Sequence, residues 1–288
     1  VIELLQTSLS LWIGVAAIVG LLVGSFLNVV VHRLPRMLQQ TWRQECRTLL
    51  ELPESAPEPP RESLIHPGSR CPSCHASIHW YDNIPVVSFL FLRGRCRDCK
   101  AGISGRYPLV ELLTAVASGV VAWQLGFNPY GIAAIGLTWA LIALSAIDFD
   151  HQLLPDNITL PALWAGLLLS VAGGPVPPAD AIIGAAAGYL SLWLVFHGFR
   201  LVTGKEGMGY GDFKLLAVFG AWLGWSALPL TILLSSVVGA LVGGTLIATG
   251  LLRRDQPMPF GPYIAAAGWV AMLWGDELVH GYLQFAGL

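Results

Sequence analysis

The chain has 288 residues, 55% of them hydrophobic and only 12% charged, with a mean hydropathy of +0.63. A soluble domain carries about 25% charged residues. The composition therefore excludes a disordered chain, argues against an ordinary soluble enzyme and fits a protein that crosses a membrane several times. The formal net charge of −2 conceals a very uneven distribution.

A membrane helix needs ~20 mostly apolar residues. Such stretches predict spans at about 9–31, 108–126, 130–147, 153–171, 180–199, 213–226, 229–251 and 262–280. The fourth carries Pro161 and the sixth is short. The first is too long for a signal-peptide core and has no cationic stretch before it, so it reads as a retained span. Asn28, His32 and Arg33 close it, as peptide-orienting groups or as interface anchors. The segment 33–107 holds eleven of the sixteen Lys and Arg residues. Arg200, Lys205, Lys214, Arg253 and Arg254 make up the rest. With eight spans all sixteen fall on one side, which the positive-inside rule makes cytoplasmic. Within the polar segment, Glu51–Glu62 is rich in Pro and Glu and reads as a linker.

Beyond that linker stand Cys71-Pro-Ser-Cys74 and Cys96-Arg-Asp-Cys99, with 21 residues between the pairs. Each CxxC wraps two thiolates onto one side of a tetrahedral ion, and two of them close a four-cysteine site. Gly94 and Gly102 flank the second pair and permit tight turns. A reducing compartment disfavours disulfides. Zinc is the expected metal, with a redox pair or an iron–sulfur cluster as the alternative. Four thiolates leave no open position, so the ion is structural. His75 and His79 are alternative ligands but read as surface histidines, and Cys46 reads as an ordinary thiol.

Glu111 lies just inside the second span, as a polar contact to a ligand or as a partner of Arg106 or Lys214. The third span ends in Asp148-Phe-Asp150-His, followed by Pro155-Asp156. The sixth opens on Gly207-Met-Gly209-Tyr-Gly211-Asp212-Phe-Lys214. Acids at membrane depth cost ~2.5–3.5 kcal/mol each and mark functional sites. Asp150 and Asp156 read as solvated or capping residues, and Lys214 as an interface anchor. Asp148 sits deepest, and the glycines before Asp212 let another backbone approach closely. Two facing carboxylates can share a proton, one acting as base on a water and the other as acid. No GxSxG elbow or HExxH string competes with them. By the helix dipoles, Asp148 at a C-terminus holds the proton and Asp212 at an N-terminus is ionised. Trp222 and Trp225 read as an interfacial belt at the outer boundary. Pro257, Pro259 and Pro262 break the chain before the eighth span.

At these residues the chain resembles the type IV prepilin peptidases, bacterial inner-membrane aspartic peptidases of the GxGD type. The likeness runs through Gly24-Ser-Phe-Leu-Asn28-Val-Val-Val-His32-Arg33-Leu-Pro35 and the paired CxxC motifs. It continues through Ile103-Ser-Gly-Arg106-Tyr107-Pro108-Leu-Val-Glu111-Leu-Leu-Thr114 and the Asp148–Asp156 stretch. It ends with Gly209-Tyr-Gly211-Asp212-Phe-Lys214 and Pro259-Phe-Gly261-Pro262. The resemblance implies cleavage of the basic leader of prepilins and type II secretion pseudopilins, after a Gly. It also implies N-methylation of the new terminus with S-adenosylmethionine. Asp148 and Asp212 would be the catalytic pair, and Cys71, Cys74, Cys96 and Cys99 the zinc ligands.

The expected fold is an all-α polytopic membrane protein of about eight transmembrane helices, with a small cytoplasmic zinc lobe between the first two. Its division is a first helix over 1–32, a zinc-binding domain over 33–107 and a seven-helix peptidase domain over 108–288. Membrane lipid and prepilin-like proteins are the expected partners, and nucleic acid is not. No GxGxxG loop follows a predicted strand, so the methyl-donor site falls to the 33–107 lobe by elimination. A non-catalytic scaffold with a zinc knuckle, or a peptidase without methyl transfer, are the rival readings.

Overall fold

The computed structural model describes residues 2–51, 63–205, 207–251, 253 and 258–287. The expected linker from residue 52 onward, Arg254 and Pro257 lie outside them. The described residues are helical apart from turns and two isolated β-bridges. The chain divides into two compact units, Val1–Trp123 and Gln124–Leu288.

The first unit contains α1 (Ile2–Thr7), α2 (Leu9–Leu49), a 3-10 turn at Trp80–Asn83, α3 (Val87–Phe91) and most of α4 (Arg106–Leu125). Ser8 caps α2 by accepting the Leu11 N–H. The helix does not stop at residue 31 as expected, but continues through Pro35 for 41 residues. Ten of the fourteen residues over 36–49 are Arg, Met, Leu, Gln or Glu, all good helix formers. Pro35 removes one helix N–H and its ring crowds the carbonyl of Val31, a cost of about 3 kcal/mol that the rest of a 41-residue helix outweighs. Gly20 and Gly24 form a small-xxx-small stripe against α4. A Cβ on Gly24 would lie 2.7 Å from the Glu111 Cα, and one on Gly20 would lie 2.8 Å from the Thr114 carbonyl oxygen. Glycine is what lets these two backbones meet.

The second unit contains α5 (Pro129–His151), α6 (Asp156–Val171), α7 (Pro178–Thr203), α8 (Tyr210–Leu223), α9 (Leu228–Ala248) and α10 (Gly261–Ala286). Asn128 caps α5 through the Gly131 N–H at 2.8 Å, and Gln152 ends it in a left-handed conformation. The core is α8, buried along nearly its whole length. The backbones of Gly184 on α7 and Gly220 on α8 touch. Trp222 is buried and donates its indole N–H to the Ala162 carbonyl at 2.8 Å. It is a core residue rather than part of an interfacial belt, because a helix surrounded by protein gives its tryptophan no membrane boundary to occupy.

Each of the eight expected spans coincides with a helix. Five segments among the described residues are long and apolar enough to cross a membrane: α2, α4, α5, α7 and Trp225–Ala248. At 16 and 14 residues, α6 and α8 fall short of that length. The outward faces of α7 and α9 present Ile182, Ile183, Leu190, Leu233 and Leu241, the surface a lipid environment requires.

Candidate functional site

Asp148 lies in the last turn of α5 and is buried. Its Oδ2 accepts the backbone N–H of Gly261 at 3.0 Å, at the start of α10. Asp212 lies in the first turn of α8, also buried, and its Oδ2 accepts the Gly209 N–H at 3.3 Å. The aspartates are near enough to interact electrostatically. Leu154 bridges their supports. It packs on Gly211, where a Cβ would meet its own Cβ at 2.8 Å, and on Gly261, where a Cβ would meet its methyls at 3.2 Å. Small residues at 211 and 261 thus let three chain segments converge on the acids.

Each aspartate accepts an N–H at a helix start, so helix dipoles alone do not distinguish them. The contribution of Gly261 was missed from sequence because any residue but proline carries a backbone N–H. The break signalled by Pro259 and Pro262 was the available clue.

Lys214 Nζ lies 2.6 and 2.8 Å from the two carboxylate oxygens of Asp156. The two residues form an ion pair that ties the start of α6 to the start of α8, where sequence reasoning saw an anchor and a solvated acid. Asp150 is exposed. Glu111 accepts the Val86 N–H at 2.8 Å. Asn28 donates to the Tyr107 carbonyl at 3.1 Å, and Arg33 to the Ser63 carbonyl at 2.9 Å. These contacts bind α2 to α4 and to the polar segment.

The four cysteines come together. The Sγ atoms of Cys71, Cys74, Cys96 and Cys99 all lie within 4.8 Å of one another, and those of Cys71 and Cys99 are 3.7 Å apart. None is in a disulfide. Both knuckles repeat one turn: the Cys71 N–H reaches Ala76 O and the His75 N–H returns to Cys71 O. Cys96, Ala101 and Lys100 do the same in the second. The left-handed residues of these turns are His75 (φ +58) and Lys100 (φ +61), whereas sequence reasoning looked to glycine. Gly94 (φ +67) turns the chain just before the second knuckle. Arg97 pairs with Asp82 at 2.5 and 2.8 Å and lies over the Tyr81 ring, bracing the second knuckle on the 3-10 turn. That hydrogen bond holds the Asp82 carboxyl below the usual carboxylate range.

The donor set fits a tetrahedral ion. A metal–sulfur distance of about 2.3 Å requires sulfurs about 3.8 Å apart. The N–H groups of Cys74 and Ser73 pull the Cys71 thiol down to about 6. At Cys74 the Ala76 N–H favours the thiolate. Desolvation and the sulfurs of Cys99, Cys71 and Cys96 outweigh it and push this thiol up to about 12. Four thiols so placed do not all ionise without a cation among them. His75 and His79 lie outside this set, His79 stacking on Tyr81. Cys46 is exposed on α2.

Residues 18–125 match the Bacterial Peptidase A24 N-terminal domain, and residues 135–244 match the Type IV leader peptidase family. The cysteines fall in the first match and both aspartates in the second. A prepilin leader peptidase/N-methyltransferase of Stutzerimonas stutzeri is 54% identical over 287 residues, covering 100% of this chain and 99% of its own. One of Pseudomonas aeruginosa is 56% identical over 94% of this chain and 93% of its own. One of Neisseria gonorrhoeae is 46% identical over 92% of each. No solved structure matches. The chain belongs to the Type IV leader peptidase family.

Proposed function

We propose that the chain is an aspartic endopeptidase of the bacterial inner membrane, with Asp148 and Asp212 as its catalytic pair. It removes the leader of type IV prepilins and type II secretion pseudopilins at the cytoplasmic face and N-methylates the residue so exposed. The observation that carries this reading is the convergence of two buried carboxylates, each held by a backbone N–H, within a family of leader peptidases.

The chemistry follows from the pair. The ionised carboxylate takes a proton from water as the oxygen attacks the scissile carbonyl. The protonated partner gives its proton to the carbonyl oxygen, and the C–N bond then breaks with a proton passing to the departing amine. The pair titrates as a unit. The N–H groups of Gly261 and Gly209 hold the carboxylates in place while Leu154 fixes the distance between their supports.

A basic leader joined to an apolar helix puts the scissile bond at the cytoplasmic rim, where water is at hand. Eight crossings keep every Lys and Arg on that side. By function the chain divides into a first transmembrane helix (1–32), a zinc-binding domain (33–107) and a seven-helix peptidase domain (108–288). Cys71, Cys74, Cys96 and Cys99 hold zinc as a closed structural site that orders the lobe. S-adenosylmethionine, when bound, supplies the methyl group for the new amine, and we assign its binding to the 33–107 lobe.

One reaction tests this. The purified protein is mixed with a full-length prepilin and a methyl-labelled donor, and the product N-terminus is read by mass spectrometry. The expected product is cut after the leader Gly and carries one labelled methyl. Asp148→Asn and Asp212→Asn each abolish the cut while the protein stays folded. Cleavage surviving both substitutions would refute the assignment.

A further inference from the structure

The polar segment between α2 and α4 contains a surface that an aqueous lobe does not explain. Helix α3 exposes Val87 (44%), Leu90 (68%) and Phe91 (85%). They stand at i, i+3 and i+4, so they form one stripe. Phe89 points the other way and packs on Gly94, where a Cβ would meet its ring at 3.1 Å. The outward stripe is thus the more apolar face of a small element whose inward face is already packed.

The depth of this element is fixed by a hydrogen bond. Val86, its N-cap, donates its N–H to Glu111 Oε2 at 2.8 Å. Glu111 is on α4, a helix long and apolar enough to cross a membrane, and is one turn beyond Tyr107. Asn28 of α2 marks the same level as Tyr107. Four residues rise about 6 Å along the helix, and a helical side chain leans back toward the N-terminus, so the start of α3 lies within about one turn of the level where the two spans meet the polar segment. The backbone is bent to get there. Val86 has φ +59 and ψ −47, and the Val87 N–H reaches the Pro85 carbonyl at 2.5 Å. This is a γ-turn of positive φ, a strained form that a β-branched residue adopts only when held. The buried Glu111 carboxylate is the group that holds it. Arg93 and Arg95 follow the stripe directly and are exposed.

We propose that α3 is an interfacial anchor: Val87, Leu90 and Phe91 insert among the acyl chains of the leaflet into which α4 enters, and Arg93 and Arg95 meet anionic headgroups. An apolar stripe at that depth, flanked by arginines, matches how interfacial helices bind. Glu111 sets the level of insertion by gripping Val86. This goes beyond the catalytic reading and does not depend on it.

The test uses the full chain reconstituted in vesicles of phosphatidylglycerol and phosphatidylcholine, with the photoreactive p-benzoylphenylalanine in place of Phe91. A second protein carries it in place of Glu45, far out on the polar continuation of α2. After irradiation, intact mass spectrometry is expected to show lipid adducts at position 91 and none at position 45. The adducts at 91 are enriched in phosphatidylglycerol, and Arg93→Gln with Arg95→Gln removes that enrichment without removing lipid capture. Protein–protein adducts at 91, from a second copy or an added prepilin, would overturn the proposal. So would an unmodified chain at 91 or equal lipid capture at 91 and 45.

Discussion

The backbone N–H of Gly261 and the Oδ2 of Asp148, 113 residues apart in the chain, are joined by a buried hydrogen bond of 3.0 Å. This bond makes the start of α10 part of the same constellation as the end of α5 and the start of α8. A buried carboxylate oxygen left without a donor would be costly. The acid and the helix start therefore fix each other.

Adding a methyl group at that point tests the relationship. A Cβ at position 261 would lie 2.7 Å from Asp148 Oδ2 and 3.2 Å from two Leu154 methyls. Gly261→Ala is expected to push the carboxylate off its donor and lower leader cleavage at least about tenfold, or ~1.4 kcal/mol of barrier. Methylation of a pre-cleaved pilin should be retained. Parallel assays on intact and pre-cleaved substrate measure this, and unchanged cleavage would show that the contact does not position the acid.

The cysteine site makes a prediction about pH. In the metal-free lobe Cys71 is pulled down to about 6 and Cys74 pushed up to about 12. At neutral pH the first is already a thiolate and the second still carries its proton. Metal binding must therefore release protons, and affinity must rise with pH and fall as pH drops. Competition titration with a chromophoric chelator between about pH 6 and 8 reads this directly. Cys74→Ser should lower metal content per chain and expose the lobe to proteolysis.

Much of this was legible from sequence because it depends on residue type. Four cysteines in two CxxC pairs and two aspartates at the ends of apolar runs stand out in any order of reading. The supports do not stand out. The donors to Asp148 and Glu111 are backbone N–H groups, which carry no side-chain signature. Trp222 was misread because an apolar helix facing protein and one facing lipid share the same composition. The end of α2 was misplaced because hydropathy marks the membrane and not the helix, and residues 36–49 are polar but helix-forming.

The Lys214–Asp156 pair is partly exposed, its side chains retaining 30% and 50% of their accessible surface. Such pairs are worth at most about 1 kcal/mol. Lys214→Ala or Asp156→Ala alone should shift thermal stability little in detergent. Each should lower cleavage, because the pair joins the first turn of α6, just past Leu154, to the second turn of α8, two residues past Asp212. The swapped variant, Lys214→Asp with Asp156→Lys, is expected to recover most of the lost activity. A swap no better than the single substitutions would mean that position, rather than pairing, matters.

Close packing of α7 and α8 sets the position of Asp212, and two glycines on these helices distinguish packing from composition. A Cβ on Gly220 would collide with the Gly184 carbonyl and lie 2.8 Å from the Ala185 nitrogen, whereas a Cβ on Gly198 of α7 would meet nothing within 4 Å. A methyl group forced between two backbones must separate them, at a cost of about 1–3 kcal/mol or more. Gly220→Ala is therefore expected to lower the thermal midpoint of the monodisperse protein and to reduce leader cleavage, since α8 carries Asp212 on its first turn. Gly198→Ala should leave both unchanged. Equal behaviour of the two variants would remove the α7–α8 contact from any account of how Asp212 is held.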